Sequence, residues 1–306
     1  MTVGPAIAPT SGQETPVPFP PPSSGGFRES DVVWIFGHPR SGTTWLANLL
    51  RVGLGLKLWN EPYLGQMLAF RNRLAVNDPA RIEDETFWFS DPQEENWRAS
   101  INLLFTDVVA RQAGPRAGFN GVVLKDPNGS VAAPWIVTSM PEARTVFVVR
   151  DIRDVVASLI DARKPGSWMD RRLTQEFDRM KIVKQSVNRM IRIAESIARV
   201  RAVAANDRYY EMRYERLRAN TFDEVNHLAH HLGIPVDADL LHEAVKELAI
   251  ENVPEQKKGP GKFIRKGEVG SWRHELEWQE VDYIQHHLAD VLEQFGYERV
   301  ERDELP

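Results

Sequence analysis

Apolar residues fall along this chain in two alternating rhythms. Short unbroken runs lie in DVVWIFG (31–37), GVVLKDP (121–127) and RTVFVVRD (144–151), and YYEMRYE (209–215) gives a fourth. Runs of this length, stopped by glycine or proline, read as buried strands. Between them apolar residues recur every three or four positions, the spacing of one helical face. Trp45, Leu46, Leu49 and Leu50 follow the first run, with Gly53 and Gly55 near the end, and IRDVVASLIDAR continues the third. Leu173, Phe177, Met180, Val187, Met190, Ala194 and Ile197 mark a long helix within 170–204. Two shorter helices are expected near 220–232 and 238–249, and a last one from about Glu277 to Phe295. Strands alternating with helices, each strand almost wholly apolar, predict a parallel sheet covered on both faces. Ligands of such sheets bind at the carboxyl ends of the strands. The unusual residues cluster there: the loop 37–45, Lys125-Asp126, Arg150-Asp151 and Tyr214-Glu215. No internal repeat is visible.

Residues 1–29, as in PVPFPPPSSGG, are too rich in Pro, Gly, Ser and Thr to bury a core. They read as a disordered or extended tail before a domain spanning 30–306. The chain is 42% hydrophobic and 26% charged, ordinary for a soluble protein, and its net charge of -5 argues against a general nucleic-acid binder. An anionic ligand must then be held by local positive charge. With no cysteine, disulfides, thiolate metal sites and cysteine nucleophiles are excluded. No apolar run approaches the roughly 20 residues of a membrane span, and the N-terminus lacks the order of a signal peptide. The expectation is a cytoplasmic enzyme.

The first strand and helix are joined by G-H-P-R-S-G-T-T-W, Gly37 to Trp45. A glycine loop opening onto a helix N-terminus offers backbone N–H groups and a favourable dipole to an anion. Ser41, Thr43 and Thr44 add hydroxyls, and Gly42 allows close approach. The spacing Gly37-x-x-x-x-Gly42 fits a phosphate loop, but Thr43 stands where an ATP-type loop has its lysine, and the cation has moved to Arg40. That weakens a nucleotide kinase or NTPase, which needs the lysine and a magnesium site.

P-R-S-G-T-T-W resembles the 5′-phosphosulfate loop of sulfotransferases that use 3′-phosphoadenosine 5′-phosphosulfate (PAPS). Three further motifs resemble that family in the same order, between about 32 and 273. FVVRDIRDVVAS is similar to the signature whose Arg and Ser, eight residues apart, bind the 3′-phosphate, here Arg150 and Ser158. MRYERL is similar to the segment whose tyrosine touches the adenine, here Tyr214, and FIRKGEVGSW to the late loop whose Arg-Lys-Gly reaches the 3′-phosphate, here Arg265, Lys266 and Gly267. Trp45 matches the tryptophan that stacks on the adenine. The resemblance implies one α/β, P-loop-like domain with a central parallel sheet flanked by helices. It implies PAPS as sulfuryl donor, adenosine 3′,5′-bisphosphate as product, and no metal. The physical reading agrees, since a phosphate dianion suits bidentate guanidinium groups. Lys257, Lys258, Lys262, Arg265 and Lys266, interleaved with Gly259, Gly261 and Gly267, suggest a flap closing over an anion.

Sulfuryl transfer needs alignment, charge stabilisation and a base for the acceptor proton. Arg40 and Lys125 are candidates to stabilise the charge. Cytosolic members of the family carry a histidine base in K-T-H, whereas here Asp126 follows Lys125. Other branches use a glutamate soon after the first helix. WNEPYLG, 59–65, offers Glu61 beside Trp59, Pro62 and Tyr63, and Glu61 is the expected general base for in-line transfer. Asp126 is the second candidate, unless it orients Lys125 or caps the next segment. His274 is a possible acceptor contact, and His38 is expected to pack. Trp59, Tyr63, Phe87, Trp88, Phe89 and Trp97 either line an acceptor pocket or belong to the core. The Arg and Lys side chains on the outer face of the 170–204 helix either form a solvated face, the reading preferred here, or steer an anionic acceptor. The acceptor is expected to be a small-molecule, carbohydrate or lipid-like alcohol, less readily an amine. A non-catalytic nucleotide-binding module is the other rival reading.

Overall fold

The computed structural model describes residues 28–114, 119–170 and 176–306. The proposed tail lies outside the described residues except for Arg28 and Glu29, and so does Leu173 of the long helical stretch. The described chain forms β1 (Val32–Gly37), α1 (Thr43–Gly53), β2 (Lys57–Asn60), α2 (Leu64–Asn77), α3 (Pro79–Glu83), α4 (Glu94–Ala113) and β3 (Val122–Lys125). It continues through α5 (Ala133–Ser139), β4 (Arg144–Val149), α6 (Ile152–Arg163), α7 (Arg179–Val203), β5 (Tyr209–Arg213) and α8 (Tyr214–Ala219). The helices α9 (Thr221–His231), α10 (Ala238–Glu247), α11 (Trp278–His287) and α12 (Ala289–Gln294) complete it.

All five strands are parallel, in the order β2-β3-β1-β4-β5. Every residue of β1 is buried, because the sheet is covered on both faces. Val32, Trp34 and Phe36 point into one core layer and Val33 and Ile35 into the other, the period-two alternation of a strand. The first layer is closed by α4, α5 and α7, with Trp34 stacked on Phe36 at 5.6 Å and tilted against Phe105 at 6.0 Å. The second is closed by α1, α9 and α10. Leu46, Leu49 and Leu50 of α1 are fully buried there, each stabilising the fold by about 1.5–3 kcal/mol. Gly53 lets α1 approach α10, because a Cβ there would lie 2.7 Å from Leu241 Cδ1.

The register brings the strand ends level. Ile35 of β1 pairs with Lys125 of β3, Asn60 of β2 pairs with the same Lys125, and Val149 of β4 pairs with Arg213 of β5. The chain builds β2 and β3 on one side of β1 and β4 and β5 on the other. The carboxyl end of β1 is therefore the switch point, where an open α/β sheet leaves a crevice. The predicted strands, α1 and α6 fall where the pattern put them. The C-terminal stretch divides into two helices at Leu288, and β2, α2, α3, α4, α5 and α8 are elements the pattern did not show.

Candidate functional site

A cleft of about 1710 Å³ opens at this switch point. Its floor is the loop between β1 and α1. Gly42 is left-handed at φ 96° and lies flat on the Tyr214 ring, where a Cβ would come within 2.4 Å of Tyr214 Cδ2. The turn leaves the first N–H groups of α1, at Thr43 and Thr44, without helical acceptors. Thr43, Thr44 and Trp45 line the cleft. Ser41 does not: its hydroxyl is buried beneath the loop and finds no partner among the described residues.

Three cations converge above the loop. Arg40 Nε donates to Ser158 Oγ at 3.1 Å, and its Nη2 donates to the Phe263 carbonyl at 2.7 Å. Its guanidinium lies over the rings of Phe263 (5.3 Å) and Trp168 (5.6 Å). Arg150 follows β4, donates to the Arg40 carbonyl at 3.3 Å and the Glu268 carbonyl at 2.8 Å, and lies 4.2 Å over the Tyr214 ring. Its Nε is buried without a partner among the described residues. Arg265 is buried, ion-paired with Glu275 and bonded to Ser271 Oγ at 3.1 Å. Burial, then repulsion from Arg150 and Arg265, lowers the Arg40 pKa to about 10. A pocket that gathers guanidinium groups against their own repulsion is built for an anion.

The aromatic residues complete this half. Tyr214, at the start of α8, donates to the Gly267 carbonyl at 2.9 Å, and Trp45 meets it edge-on at 6.1 Å. Trp45 Nε1 donates to the Leu248 carbonyl at 3.0 Å. Burial raises the pKa of Tyr214, which stays a neutral donor. Gly267, left-handed at φ 64°, turns the late loop toward this phenol. Lys266 is half-exposed beside Glu268 and Glu275 and does not line the cleft, so of the basic cluster 257–266 only Lys257 and Arg265 do. The flap is pinned at Gly261, whose N–H donates to Asp161 Oδ2 at 2.7 Å.

The other half of the site is made by β2. Its pairing with β3 continues one residue past the strand, where Glu61 N–H donates to the Lys125 carbonyl at 2.8 Å. Lys125, 2% exposed, turns its ammonium onto the Glu61 carboxylate and donates to Thr44 Oγ1 at 3.2 Å. The structure therefore joins Glu61, Lys125 and the start of α1. Among the described residues only Arg40, Glu61 and Tyr63 are non-glycine residues with positive φ, and all three line the cleft. Such strain costs about 1–3 kcal/mol at each position and concentrates at functional sites.

The remaining expectations sort differently. Asp126 is fully buried and caps the turn after β3, accepting from Gly129 N at 3.2 Å and Gly65 N at 3.0 Å. Its pKa is raised, chiefly by burial. His38 packs as expected: its Nδ1 donates to the Pro39 carbonyl at 2.9 Å, and burial depresses its pKa to about 4. His274 is exposed and outside the cleft lining. Of the six aromatic residues weighed for an acceptor pocket, only Tyr63 lines the cleft. Trp97 is fully buried, Trp59 and Phe89 pack against the core, and Trp88 is 53% exposed. Trp135 and Trp168 line the cleft as well. The arginines of α7 are not all on a solvated face, since Arg189, Arg192 and Arg199 line the cleft. They flank the helix's apolar stripe at helical spacing, which the sequence did show.

No group of three or more His, Asp or Glu among the described residues is arranged to hold a metal ion. No described helix is long and apolar enough to cross a membrane.

Residues 30–296 match the sulfotransferase domain family. A nodulation protein, NoeE, from Sinorhizobium fredii is 23% identical over 283 residues, covering 88% of this chain. The match spans 66% of that relative, just under two thirds of its length. Among solved structures, sulfotransferase STF9 from Mycobacterium avium aligns with a TM-score of 0.55 at 17% identity, over 89% of this chain and 78% of that one. Mouse sulfotransferase SULT7A1, complexed with PAP, gives 0.52 at 11% identity, over 87% and 85%. At these identities the structures establish a shared fold. The family match over most of the chain establishes more: the chain belongs to the sulfotransferase domain family.

Proposed function

We propose that the chain transfers the sulfuryl group of PAPS to the hydroxyl of a small acceptor, with Glu61 taking the acceptor proton. The observation that carries this reading is the Glu61–Lys125–Thr44 chain at the level ends of β2 and β3, beside the loop that starts α1.

The residues fit the donor. The amides of Thr43 and Thr44 and the guanidinium of Arg40 suit its 5′-phosphosulfate. Arg150, whose Nε has no partner among the described residues, together with Ser158 and Arg265, suits its 3′-phosphate, and Trp45 and Tyr214 flank the place for its base. When bound, PAPS supplies the sulfuryl group and leaves as adenosine 3′,5′-bisphosphate.

Lys125 has two tasks. Its ammonium holds the Glu61 carboxylate in place, and through Thr44 it presents positive charge at the loop where charge accumulates on the leaving side. Glu61 Oε2 lies 3.4 Å from the Tyr63 hydroxyl and opens to the cleft, where it can accept a proton from an alcohol. The main chain fixes this carboxylate through the Glu61 N–H bond to Lys125, so the base is set by the sheet rather than by a mobile loop. Asp126 stays committed to the amides of Gly65 and Gly129.

Glu61→Gln keeps the shape and removes the proton acceptor. Turnover is expected to fall by about 10²–10⁴, the usual contribution of a general base, with bisphosphate affinity retained. Near-normal turnover in Glu61→Gln, with a collapse in Asp126→Asn, would move the base to Asp126.

A further inference from the structure

The cleft holds more positive charge than the nucleotide accounts for. Nine of its lining residues are Lys or Arg and three are Glu. Arg40, Lys125, Arg150 and Arg265 serve the donor. A second group stands on the wall made by α6 and α7: Arg163, Arg189, Arg192 and Arg199. Arg189 Nη2 donates to Asn128 Oδ1 at 3.0 Å, which ties it to the turn directly after Lys125. Arg163 Nη1 reaches Gln185 Oε1 at 3.3 Å. Among the described residues the ion pairs of α7 are made near its ends, by Arg179 with Glu277 and Glu280 and by Arg201 with Glu211. Arg189 and Arg192 make none with the described residues. Burial, then the charges of Arg192 and Arg163, lowers the Arg189 pKa. Arg189 and Arg163 also act on His38 in the loop before α1, so this charge sits close to the donor loop. Val131 and Trp135 line the cleft as apolar surface for an acceptor body.

A partly buried arginine held in position, with further arginines beside it and no carboxylate paired to it, is the arrangement that receives an oxyanion on a guanidinium fork. We propose that the acceptor is a small alcohol carrying an oxyanion (carboxylate, sulfate or phosphate) that Arg189 receives with Arg163 and Arg192 while its hydroxyl faces Glu61. This rests on the sulfuryl-transfer reading above. Anchoring the far end of the acceptor fixes its hydroxyl against the base, an orientation effect felt in kcat as well as KM.

The test uses 4-hydroxyphenylacetate and 6-hydroxyhexanoate, each against its neutral amide, with 4-hydroxybenzylphosphonate separating phosphate-like from carboxylate preference. Two quantities are read: kcat/KM for label transfer from radiolabelled PAPS, and affinity of each probe for the bisphosphate-loaded protein. The acid forms, or the phosphonate, are expected to be preferred by about 10- to 100-fold, the worth of a charged hydrogen bond. Arg189→Met should erase that preference and Arg192→Gln should reduce it severalfold, both variants retaining stabilisation by the bisphosphate. Equal affinity for acids and amides, including no binding of either, overturns the proposal, as does a preference that survives both substitutions. Failure of the wild-type protein to bind the bisphosphate would instead remove the sulfuryl-transfer reading itself, and the proposal with it.

Discussion

Arg150→Ala separates ligand binding from fold stability in one variant. The guanidinium is buried and oriented by the Glu268 carbonyl at 2.8 Å and the Arg40 carbonyl at 3.3 Å, with Nε left without a partner among the described residues. If it receives the 3′-phosphate, its loss removes charged hydrogen bonds worth about 1.5–3 kcal/mol. At about 1.4 kcal/mol per decade, that weakens adenosine 3′,5′-bisphosphate by about 10- to 150-fold. The cost to stability is set by Asp154, which is fully buried and 3.7 Å from Arg150. Stranding a buried charge costs about 3–5 kcal/mol. Asp154, however, still accepts from Gly270 N at 2.8 Å, Trp272 N at 3.1 Å and Ser271 Oγ at 3.3 Å. A smaller loss of about 1–2 kcal/mol is therefore expected. Calorimetric titration with the bisphosphate reads the first quantity, and urea unfolding followed by tryptophan fluorescence reads the second. A folded variant that binds the bisphosphate within twofold of wild type would refute the 3′-phosphate assignment.

Gly42→Ala is expected to cost bisphosphate affinity at least tenfold, because a Cβ at φ 96° would lie 2.4 Å from Tyr214 Cδ2 and push the ring from the loop; wild-type affinity in titration would show that the loop and Tyr214 need not touch. His38 makes stability depend on pH. Its folded pKa of about 4 lies below the unfolded value of 6.5, so the unfolded chain binds the extra proton between them. Stability contributed by the neutral ring is complete above 6.5 and falls as pH drops toward 4, by up to about 3 kcal/mol. Urea midpoints measured from pH 7 to pH 4 should show a slope that flattens in His38→Asn.

The sequence pattern shows an element best where the sheet is buried on both faces. The runs of β1, β3 and β4 are apolar without interruption because each has core on either side. β2 is a four-residue edge strand, Lys57–Asn60, with no fully buried position, so its pattern gave no strand signal. That omission hid why Glu61 sits where it does: the β2–β3 register places it beside Lys125. α4 was hidden for the opposite reason. It buries Trp97 and Phe105 while exposing Leu103 and Leu104, so no single apolar face stands out. The residues that gather around the β1–α1 loop were legible because most of them sit in contiguous motifs, although Ser41 and Lys266 of those motifs do not line the cleft. The opposite wall of the cleft was less so, because it is assembled from α5, α6 and α7 without a contiguous motif, and on pattern alone the arginines of α7 resemble a solvated face more than a wall of the cleft. Trp97 and Phe89 were plausible pocket residues on composition, and only packing shows them to be core.

If this cleft moves a sulfuryl group from PAPS to a hydroxyl, incubation with sulfur-labelled PAPS and a panel of alcohols, in the presence of a metal chelator, will yield labelled sulfate ester and bisphosphate in equal amounts from the wild-type protein. Label that stays on the nucleotide across the panel, with stabilisation of the protein only by ATP and magnesium, would rule sulfuryl transfer out.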